Sequence, residues 1–305
     1  MKKVLYIQPL HPAGMEKLAE KYHVVVADTQ DREKLKEAIA DAHAVVTRLT
    51  RIDAELIAAG KNLEAIAKHG VGVDNIDVAA AEARKIAIVT TGNANSRSVA
   101  EHTLLAMGAL CKRISYLDRA MRKGYWLSRD EAGSVDLYGR RLGIVGYGRI
   151  GQALAPMAKY GFGMEVWVCD PNVAGQKIET DGFIPCLNLD ELCRRADILS
   201  LHVPLTGSTR NLIDTRRLAL MKPTAYLVNF ARGGVVDETA LYDALVKQRL
   251  AGAALDCFET EPPDHLQPLF QLDNVLLSPH CGTFTEDSRY RMSMALADGI
   301  SKVLG

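Results

Sequence analysis

The chain has 305 residues, of which 48% are hydrophobic and 24% are charged, the balance of a soluble globular protein with one large or two ordinary domains. Lys plus Arg and Asp plus Glu both number 37, so the zero net charge supplies no long-range field that would attract nucleic acid or an anionic membrane. No apolar stretch reaches the roughly 18 to 20 residues of a membrane span, and the first residues run straight into a predicted strand without a cleavable leader. We therefore expect a small-molecule partner, with neither nucleic acid nor a membrane.

The six cysteines are scattered along the chain without a C-x-x-C pair. This spacing indicates neither a zinc site nor a disulfide framework, so no metal is expected. The composition therefore predicts a protein of the reducing cytoplasm.

Short apolar runs alternate with helical stretches from the first residue onward. Residues 15–21 and 32–40 have helical composition and spacing. The apolar runs predicted as strands are residues 4–7, 24–27, 44–46, 65–67 and 87–89. This alternation predicts a small doubly wound parallel sheet.

The pattern changes near residue 98, which we take as a domain boundary. Residues 98–121 form a long, nearly unbroken helical stretch, and residues 123–139 are a polar, glycine-punctuated connection. A second set of strands is predicted at residues 142–145, 165–169, 198–202, 225–229, 253–255 and 275–277. Six strands with intervening helices are typical of a Rossmann domain.

The sequence thus predicts an α/β protein with two doubly wound parallel-sheet domains, a Rossmann cofactor domain and a smaller flavodoxin-like substrate domain. Residues 285–304 read as a final helix, which we expect to return to the first domain. The predicted bounds are residues 1–97 with 283–305 for the substrate domain and 98–282 for the cofactor domain.

A glycine motif follows the first strand of the second set. Gly146, Gly148 and Gly151 have the G-x-G-x-x-G spacing at the start of a helix, where a tight turn, close backbone approach and the helix dipole suit a pyrophosphate. Asp170 ends the next strand, 19 residues after Gly151, where a carboxylate bonds ribose hydroxyls and repels a 2′-phosphate. The motif predicts NAD rather than NADP; the alternative is a glycine-rich turn that binds nothing.

Three polar residues follow successive strands of the predicted second sheet. His280 is placed to act as the acid/base that a hydride-transfer reaction needs, and Glu259 or Glu261 could hold its tautomer. Arg232 offers a planar fork for a carboxylate. Taken singly, Arg232 could cap a turn or pair with Asp237, Glu261 could be a solvated loop acid, and His280 could be a capping residue. Together they indicate oxidoreduction of a substrate whose carboxylate lies beside its carbonyl.

Several motifs carry a resemblance to a known family across nearly the whole chain. They are "KHGVGVDNIDV" at 68–78, "NSRSVAEHTL" at 95–104, the glycine loop at 146–151, "HVPLT" at 202–206, "NFARGGVVD" at 229–237, "ALDCFETEPP" at 254–263 and "LSPHCG" at 277–282. The sequence resembles the D-isomer-specific 2-hydroxyacid dehydrogenases, of the branch that includes D-3-phosphoglycerate dehydrogenases and glyoxylate/hydroxypyruvate reductases. The resemblance implies an NAD-dependent enzyme that interconverts a D-2-hydroxy acid and its 2-oxo acid.

The resemblance also implies roles for individual residues. Arg232 would bind the 2-oxo acid, His280 would be the acid/base, and Glu261 rather than Glu259 would tune it. The implied substrate contacts are Val71, Gly72 and Val73, with Asn95 beside them. The implied cofactor contacts are Gly146, Gly148, Arg149, Ile150, Gly151, Asp170, Val203, Pro204, Thr209, Phe230, Ala231, Asp256, Gly282 and Thr103.

The substrate and the assembly are less constrained by the sequence. Thr47 stands where many phosphoglycerate enzymes carry Arg, while Arg48 and Arg51 keep the loop basic, either for a phosphate or as solvated surface arginines. D-3-Phosphoglycerate dehydrogenase, glyoxylate/hydroxypyruvate reductase and, as another class, a non-catalytic NAD-sensing binding protein therefore stay open. Residues 98–121 and 123–139 resemble the family's dimer contact, so we expect a homodimer.

Overall fold

The computed structural model describes residues 1–126 and 133–305, which form two compact units, residues 1–95 with 283–305 and residues 96–282. Residues 127–132, part of the predicted connection at 123–139, lie outside the described residues. Within the described ranges, no helix combines the length and the apolar character needed to cross a membrane. All six cysteines are free, and five of them are buried.

The first unit is built on a five-stranded parallel sheet, as the apolar runs predict. In chain order its strands are β1 Lys3–Tyr6, β2 His23–Val26, β3 Ala44–Thr47, β4 Ala65–Lys68 and β5 Ala87–Thr90, arranged β2-β1-β3-β4-β5. Its helices are Pro12–Ala19, Arg32–Ile39, Ala54–Ala59, Val78–Ala83 and the last helix, Glu286–Leu304. This strand order is the flavodoxin-like one.

Both faces of this sheet are covered, which explains why its strands read as continuous apolar runs. Successive side chains of a strand point to opposite faces, so Leu5 joins one buried cluster and Val4 the other. The second cluster also contains Leu296 and Ile300 from the last helix. The last helix therefore packs on the sheet of residues 1–95.

The second unit has a seven-stranded parallel sheet. Its strands are β6 Arg141–Val145, β7 Glu165–Cys169, β8 Ile184–Pro185, β9 Ile198–Leu201, β10 Tyr226–Asn229, β11 Gly252–Leu255 and β12 Val275–Leu277, in the order β12-β11-β10-β9-β6-β7-β8. Its helices are Ser96–Cys111, Ile114–Arg122, Arg149–Pro156, Gly175–Thr180, Leu189–Arg195, Thr215–Leu218 and Glu238–Val246, with a π-helical turn at Met157–Gly161 and a 3₁₀ turn at Pro268–Gln271. The six predicted strands are confirmed. The seventh, β8, was missed because two residues that include a proline at a sheet edge carry no periodic signal.

The long helical stretch predicted over residues 98–121 is helical in the structure, with one break. The structure divides it into Ser96–Cys111 and Ile114–Arg122, because Arg113 adopts a left-handed backbone with φ of 51°. A left-handed residue interrupts the hydrogen-bond ladder of a helix. The sequence gives no warning of this break, since neither glycine nor proline occupies residues 109–116.

Candidate active site

The three predicted catalytic residues follow three neighbouring strands of the second sheet. Arg232 lies after β10, Glu261 in the segment after β11, and His280 after β12. These strands pair side by side and run parallel, so their carboxyl ends meet at one edge. The topology therefore brings all three loops to the same rim of the unit.

His280 and Glu261 are in direct contact. His280 Nδ1 lies 2.8 Å from Glu261 Oε2 and 3.1 Å from Oε1, and the two side chains are 43% and 35% exposed. A carboxylate can only accept, so Nδ1 carries the proton and Nε2 is the nitrogen left for other chemistry. The arrangement orients the imidazole while keeping its reactive nitrogen accessible.

Opposing influences act on the Glu261 carboxyl. Burial raises its pKa, but the hydrogen bond and charge of His280, a hydrogen bond from the Phe258 backbone N–H and the charge of Arg232 outweigh burial and hold the pKa below its usual value. The Phe258 N–H donates to Oε1 over 3.1 Å. Glu261 is therefore ionised near neutral pH and suited to stabilise a positive charge on His280.

Glu259, the other sequence candidate, faces elsewhere. Its backbone N–H donates to Glu238 Oε1 over 2.6 Å, and its carboxylate lies 3.9 Å from Arg210 Nη1. The geometry thus identifies Glu261, and not Glu259, as the carboxylate that contacts His280, a choice that the residues alone left open.

Arg232 belongs to a tightly packed turn. Its Nη1 donates to Ala231 O over 2.7 Å, and its carbonyl accepts from Asn229 Nδ2 over 2.9 Å. A Cβ placed on the next residue, Gly233, would lie 1.8 Å from Phe258 O, so glycine permits this turn to approach the segment that carries Glu261. The charge of Arg232 also helps to lower the pKa of the Glu261 carboxyl, so the guanidinium acts electrostatically on the acid–imidazole pair.

Asp237, the alternative partner of Arg232, has a separate role. Its Oδ1 accepts from Ala240 N over 2.9 Å and caps the helix Glu238–Val246.

Asp256 is buried beneath the loop that carries His280. Its Oδ1 accepts from Ser278 Oγ over 2.6 Å and from Cys281 N over 2.8 Å, and its Oδ2 accepts from Gly282 N over 3.0 Å. Three such bonds to one carboxylate hold the loop rigidly. The three hydrogen bonds to the Asp256 carboxylate thus come from this loop, one of them from the Gly282 N–H, and His102 Nε2 lies 4.0 Å from Asp256 Oδ1.

The glycine loop has the space that a pyrophosphate needs. A Cβ on Gly146 would lie 2.6 Å from His202 O, and one on Gly151 would lie 2.4 Å from Gly146 O, so both positions require glycine. A Cβ on Gly148 would meet nothing within 4 Å, which leaves open space before the helix Arg149–Pro156. Backbone N–H groups of its first turn have no acceptor within the helix, so this end suits an anion.

Asp170 is held in place at the end of β7. Its Oδ2 accepts from Tyr147 N and its Oδ1 from Asn172 N, both over 2.8 Å. Each carboxylate oxygen retains a further lone pair for a ribose hydroxyl. The residues of the loop and Asp170 therefore fit a dinucleotide.

Comparison with known proteins agrees with this geometry. Residues 104–282, more than half of the chain, match the "D-isomer specific 2-hydroxyacid dehydrogenase, NAD binding domain" family. The chain belongs to this family. A D-3-phosphoglycerate dehydrogenase from Methanocaldococcus jannaschii is 42% identical over all 305 residues, but the chain spans only 58% of that relative's length.

Two further relatives match this family member over nearly their whole lengths. A hydroxypyruvate reductase from Thermotoga maritima is 38% identical over 97% of the chain and 96% of the relative. The crystal structure of the TT0316 protein from Thermus thermophilus has a TM-score of 0.92 at 33% identity, covering 99% of this chain and 96% of that one. The resemblance and the fold class expected from the sequence are confirmed.

Thr103, one of the predicted cofactor contacts, lies in the interior of this family member. Its side chain is fully buried, and its hydroxyl donates to Val99 O over 2.7 Å within the helix Ser96–Cys111. The structure therefore shows that Thr103 is packed inside this unit, and its role as a cofactor contact stays a prediction. Sequence matching could not detect this, because it records a residue type and not its burial.

The remaining cofactor candidates lie in loops of the same unit. The Thr209 hydroxyl donates to Pro204 O over 2.6 Å and accepts from Thr206 N over 2.8 Å, so it shapes the loop that follows Val203. Phe230 and Ala231, at the end of β10, are buried. Ile150 is half-buried and Arg149 is exposed in the first turn after the glycine loop.

The predicted substrate residues belong to the first unit. Val71, Gly72 and Val73 follow β4, with Val71 exposed. Asn95 is buried, and its Oδ1 has no hydrogen-bond partner among residues 1–126 and 133–305. Arg48 directly follows β3.

Two residues that shape the site were absent from the sequence prediction. Gly233 allows the turn that contains Arg232 to lie against the segment that carries Glu261. The one sign of this in the sequence is the pair of glycines that follows Arg232. Ser278 bonds Asp256 and lies 3.4 Å from His102 Nε2. No pattern in the sequence distinguishes Ser278 from a solvated loop serine.

Proposed function

We propose that the protein is an NAD-dependent oxidoreductase that interconverts a D-2-hydroxy acid and its 2-oxo acid. The observation that carries the proposal is the His280–Glu261 pair, 2.8 Å apart, at the same sheet edge as Arg232. The match to the family's NAD-binding domain supports the cofactor, and the dehydrogenase and reductase relatives support the reaction class.

Arg232, His280 and Glu261 each have a separate role in the proposed reaction. NADH, when bound, supplies the hydride that reduces the carbonyl carbon. Arg232 binds the substrate carboxylate with its planar fork and so orients the neighbouring carbonyl. His280 donates a proton from Nε2 to the carbonyl oxygen, and in the reverse direction the neutral imidazole takes the hydroxyl proton. Glu261 stabilises the imidazolium and holds its ring in position.

Backbone groups in the first unit are also proposed to bind the substrate. Val71, Gly72 and Val73 form a turn after β4, where successive N–H groups can bind a carboxylate. We propose that residues 98–282 hold the cofactor and that residues 1–97 with 283–305 hold the substrate. We propose that Asn95 and Arg48 also contact the substrate, because both belong to the first unit.

The cofactor preference is proposed to be NAD over NADP. Asp170 places a carboxylate at the end of β7, and Pro171 and Asn172, which follow it, offer no cation for a 2′-phosphate. Gly146, Gly148 and Gly151 supply the turn and the open space for the pyrophosphate.

We also propose a homodimer that works in the cytoplasm. Tyr125 and Trp126, beside the helix Ile114–Arg122, are exposed large side chains, with Trp126 87% exposed. Exposed aromatic side chains are typical of interfaces. Sedimentation should give a dimer, and a monomer at micromolar concentration would contradict this assembly.

The free cysteines support a reducing compartment.

The test of the reaction class is a screen of NADH oxidation. The purified protein is assayed with glyoxylate, hydroxypyruvate, pyruvate and longer 2-oxo acids, and with 3-phosphoglycerate and NAD in the reverse direction. We expect turnover in at least one arm, which also discriminates between reductase and phosphoglycerate dehydrogenase activity. NADH binding without turnover in any arm would refute the enzyme and favour the non-catalytic NAD-sensing alternative.

A further inference from the structure

A histidine, an aspartate and a cysteine that are distant in the sequence converge in the second unit. His102 lies on the helix Ser96–Cys111, Asp256 directly follows β11, and Cys281 lies in the loop after β12. One ring nitrogen, one carboxylate oxygen and the sulfur of these residues all lie within 4.8 Å of one another. All three residues belong to the same compact unit, so that unit alone assembles the group.

The distances within this group are close to those around a zinc ion. His102 Nε2 lies 3.8 Å from Cys281 Sγ and 4.0 Å from Asp256 Oδ1. Zinc binds nitrogen, sulfur and carboxylate oxygen at roughly 2.0 to 2.3 Å, so its tetrahedral ligands lie about 3.4 to 3.6 Å apart. The two distances therefore have to shorten by only about 0.2 to 0.6 Å. The side chain of His102 is 33% exposed and Cys281 is partly exposed, which leaves room for this adjustment and a path for an ion.

Asp256 contributes a buried negative charge to the group. Its side chain is 3% exposed, and within the part of the chain that the structure describes it forms no ion pair with Lys or Arg. Its hydrogen bonds come from the Ser278 hydroxyl and two backbone N–H groups, all of which are neutral donors. Neutral donors offset only part of a buried charge, so the carboxylate favours a cation beside it. The Ser278 hydroxyl can turn away from Oδ1 when an ion takes its place.

A second group of possible ligands, Cys257, Glu261 and His280, is less suited to a metal ion. The Glu261 carboxylate and His280 Nδ1 are already bonded to each other over 2.8 Å. The Cys257 side chain is buried, and its thiol donates to Ala231 O over 3.5 Å. A metal in this group would have to break the acid–imidazole pair. No bond of that kind joins His102 to Asp256, whose atoms are 4.0 Å apart.

We propose that His102, Asp256 and Cys281 form a binding site for a divalent metal ion of the zinc class. The ion binds the Cys281 thiolate, and the thiol proton is released to solvent. The spacing of cysteines in the sequence could not indicate this site, because His102 and Cys281 are 179 positions apart. Asp256 is also a proposed cofactor contact, so the metal and NADH exclude each other and the metal inhibits the enzyme. This last consequence rests on the proposed function, whereas the metal site itself does not.

Titration of the reduced, metal-free protein with cobalt(II) tests the site without cofactor or substrate. Cobalt takes the nitrogen and thiolate ligands of zinc, and its bond to a thiolate gives a near-ultraviolet charge-transfer band. We expect this band in the wild-type protein and its loss when zinc displaces the cobalt. Cys281→Ser should abolish the band, and His102→Ala should weaken zinc binding more than about 10-fold. Cys257→Ala is the matched control and should keep the band, and circular dichroism verifies that each variant is folded.

Competition with NADH separates failure of the metal site from failure of the proposed function. We expect NADH to displace cobalt and zinc to inhibit turnover in competition with NADH. A wild-type protein without the band, a band that persists in Cys281→Ser or one that disappears in folded Cys257→Ala would overturn the site, whether or not any 2-oxo acid turns over. Cobalt retained at saturating NADH would overturn the mutual exclusion. A protein that binds cobalt through Cys281 but binds no NADH would refute the proposed cofactor and leave the metal site standing.

Discussion

Replacing Gly233 by alanine should misplace the catalytic groups without removing any of them. The new Cβ would lie 1.8 Å from Phe258 O and 2.6 Å from Glu259 N, both backbone atoms that cannot rotate away. Relief to at least 3.0 Å requires the two segments to separate by roughly 1.2 Å. A displacement of about 1 Å in a catalytic group can cost about 100-fold in rate, and overpacking of this kind costs about 1 to 3 kcal/mol of stability.

The assay for Gly233→Ala combines steady-state kinetics on the best substrate of the screen with thermal unfolding. We expect kcat/KM to fall about 100-fold while NADH binding, measured by fluorescence, changes little, because the glycine loop is not displaced. Gly161→Ala is the matched control, since a Cβ there meets nothing within 4 Å. Wild-type kinetics in a folded Gly233→Ala protein would refute the argument that this close contact positions Arg232 and Glu261.

Three further changes test other parts of the site. Asp170→Ala should lower the preference for NAD over NADP at least 10-fold in KM ratio, and an unchanged ratio would refute the ribose assignment. Glu261→Gln should lower the free energy of unfolding above about pH 4.5, because the pKa of Glu261 is lower in the folded protein than in the unfolded chain. This contribution to stability is lost as the pH falls through the folded-state pKa. Urea unfolding at several pH values should therefore show that the stability difference between variant and wild type disappears in acid. Thr103→Val should cost about 1 kcal/mol through the lost bond to Val99 and, because the side chain is fully buried, leave the Kd for NADH unchanged, whereas weakened NADH binding would support Thr103 as a cofactor contact.

Much of the fold could be predicted because parallel strands covered on both faces are continuous apolar runs. Val4 and Leu5 illustrate this, since neighbours on one strand enter different buried clusters. The glycine motif was recognisable for a related reason. Gly146 and Gly151 lie so close to backbone atoms that no side chain fits, so these positions require glycine and the motif is visible in the sequence.

Features that depend on contacts between distant segments could not be predicted. The residues alone did not separate Glu259 from Glu261; the contact that does so joins Glu261 to His280, 19 positions away. The burial of Thr103 and the break at Arg113 likewise have no signal in the local sequence. A cavity in the first unit is lined by both Arg48 and Arg289, residues 241 positions apart, beyond the reach of any local pattern.

The central claim is that His280 exchanges a proton with the substrate while Glu261 orients it. The most direct measurement is kcat of His280→Ala beside its NADH affinity, with circular dichroism to confirm folding. We predict a fall in kcat of about 100-fold or more, the usual contribution of a general acid, with NADH affinity retained. A folded His280→Ala protein that turns over at the wild-type rate would contradict it.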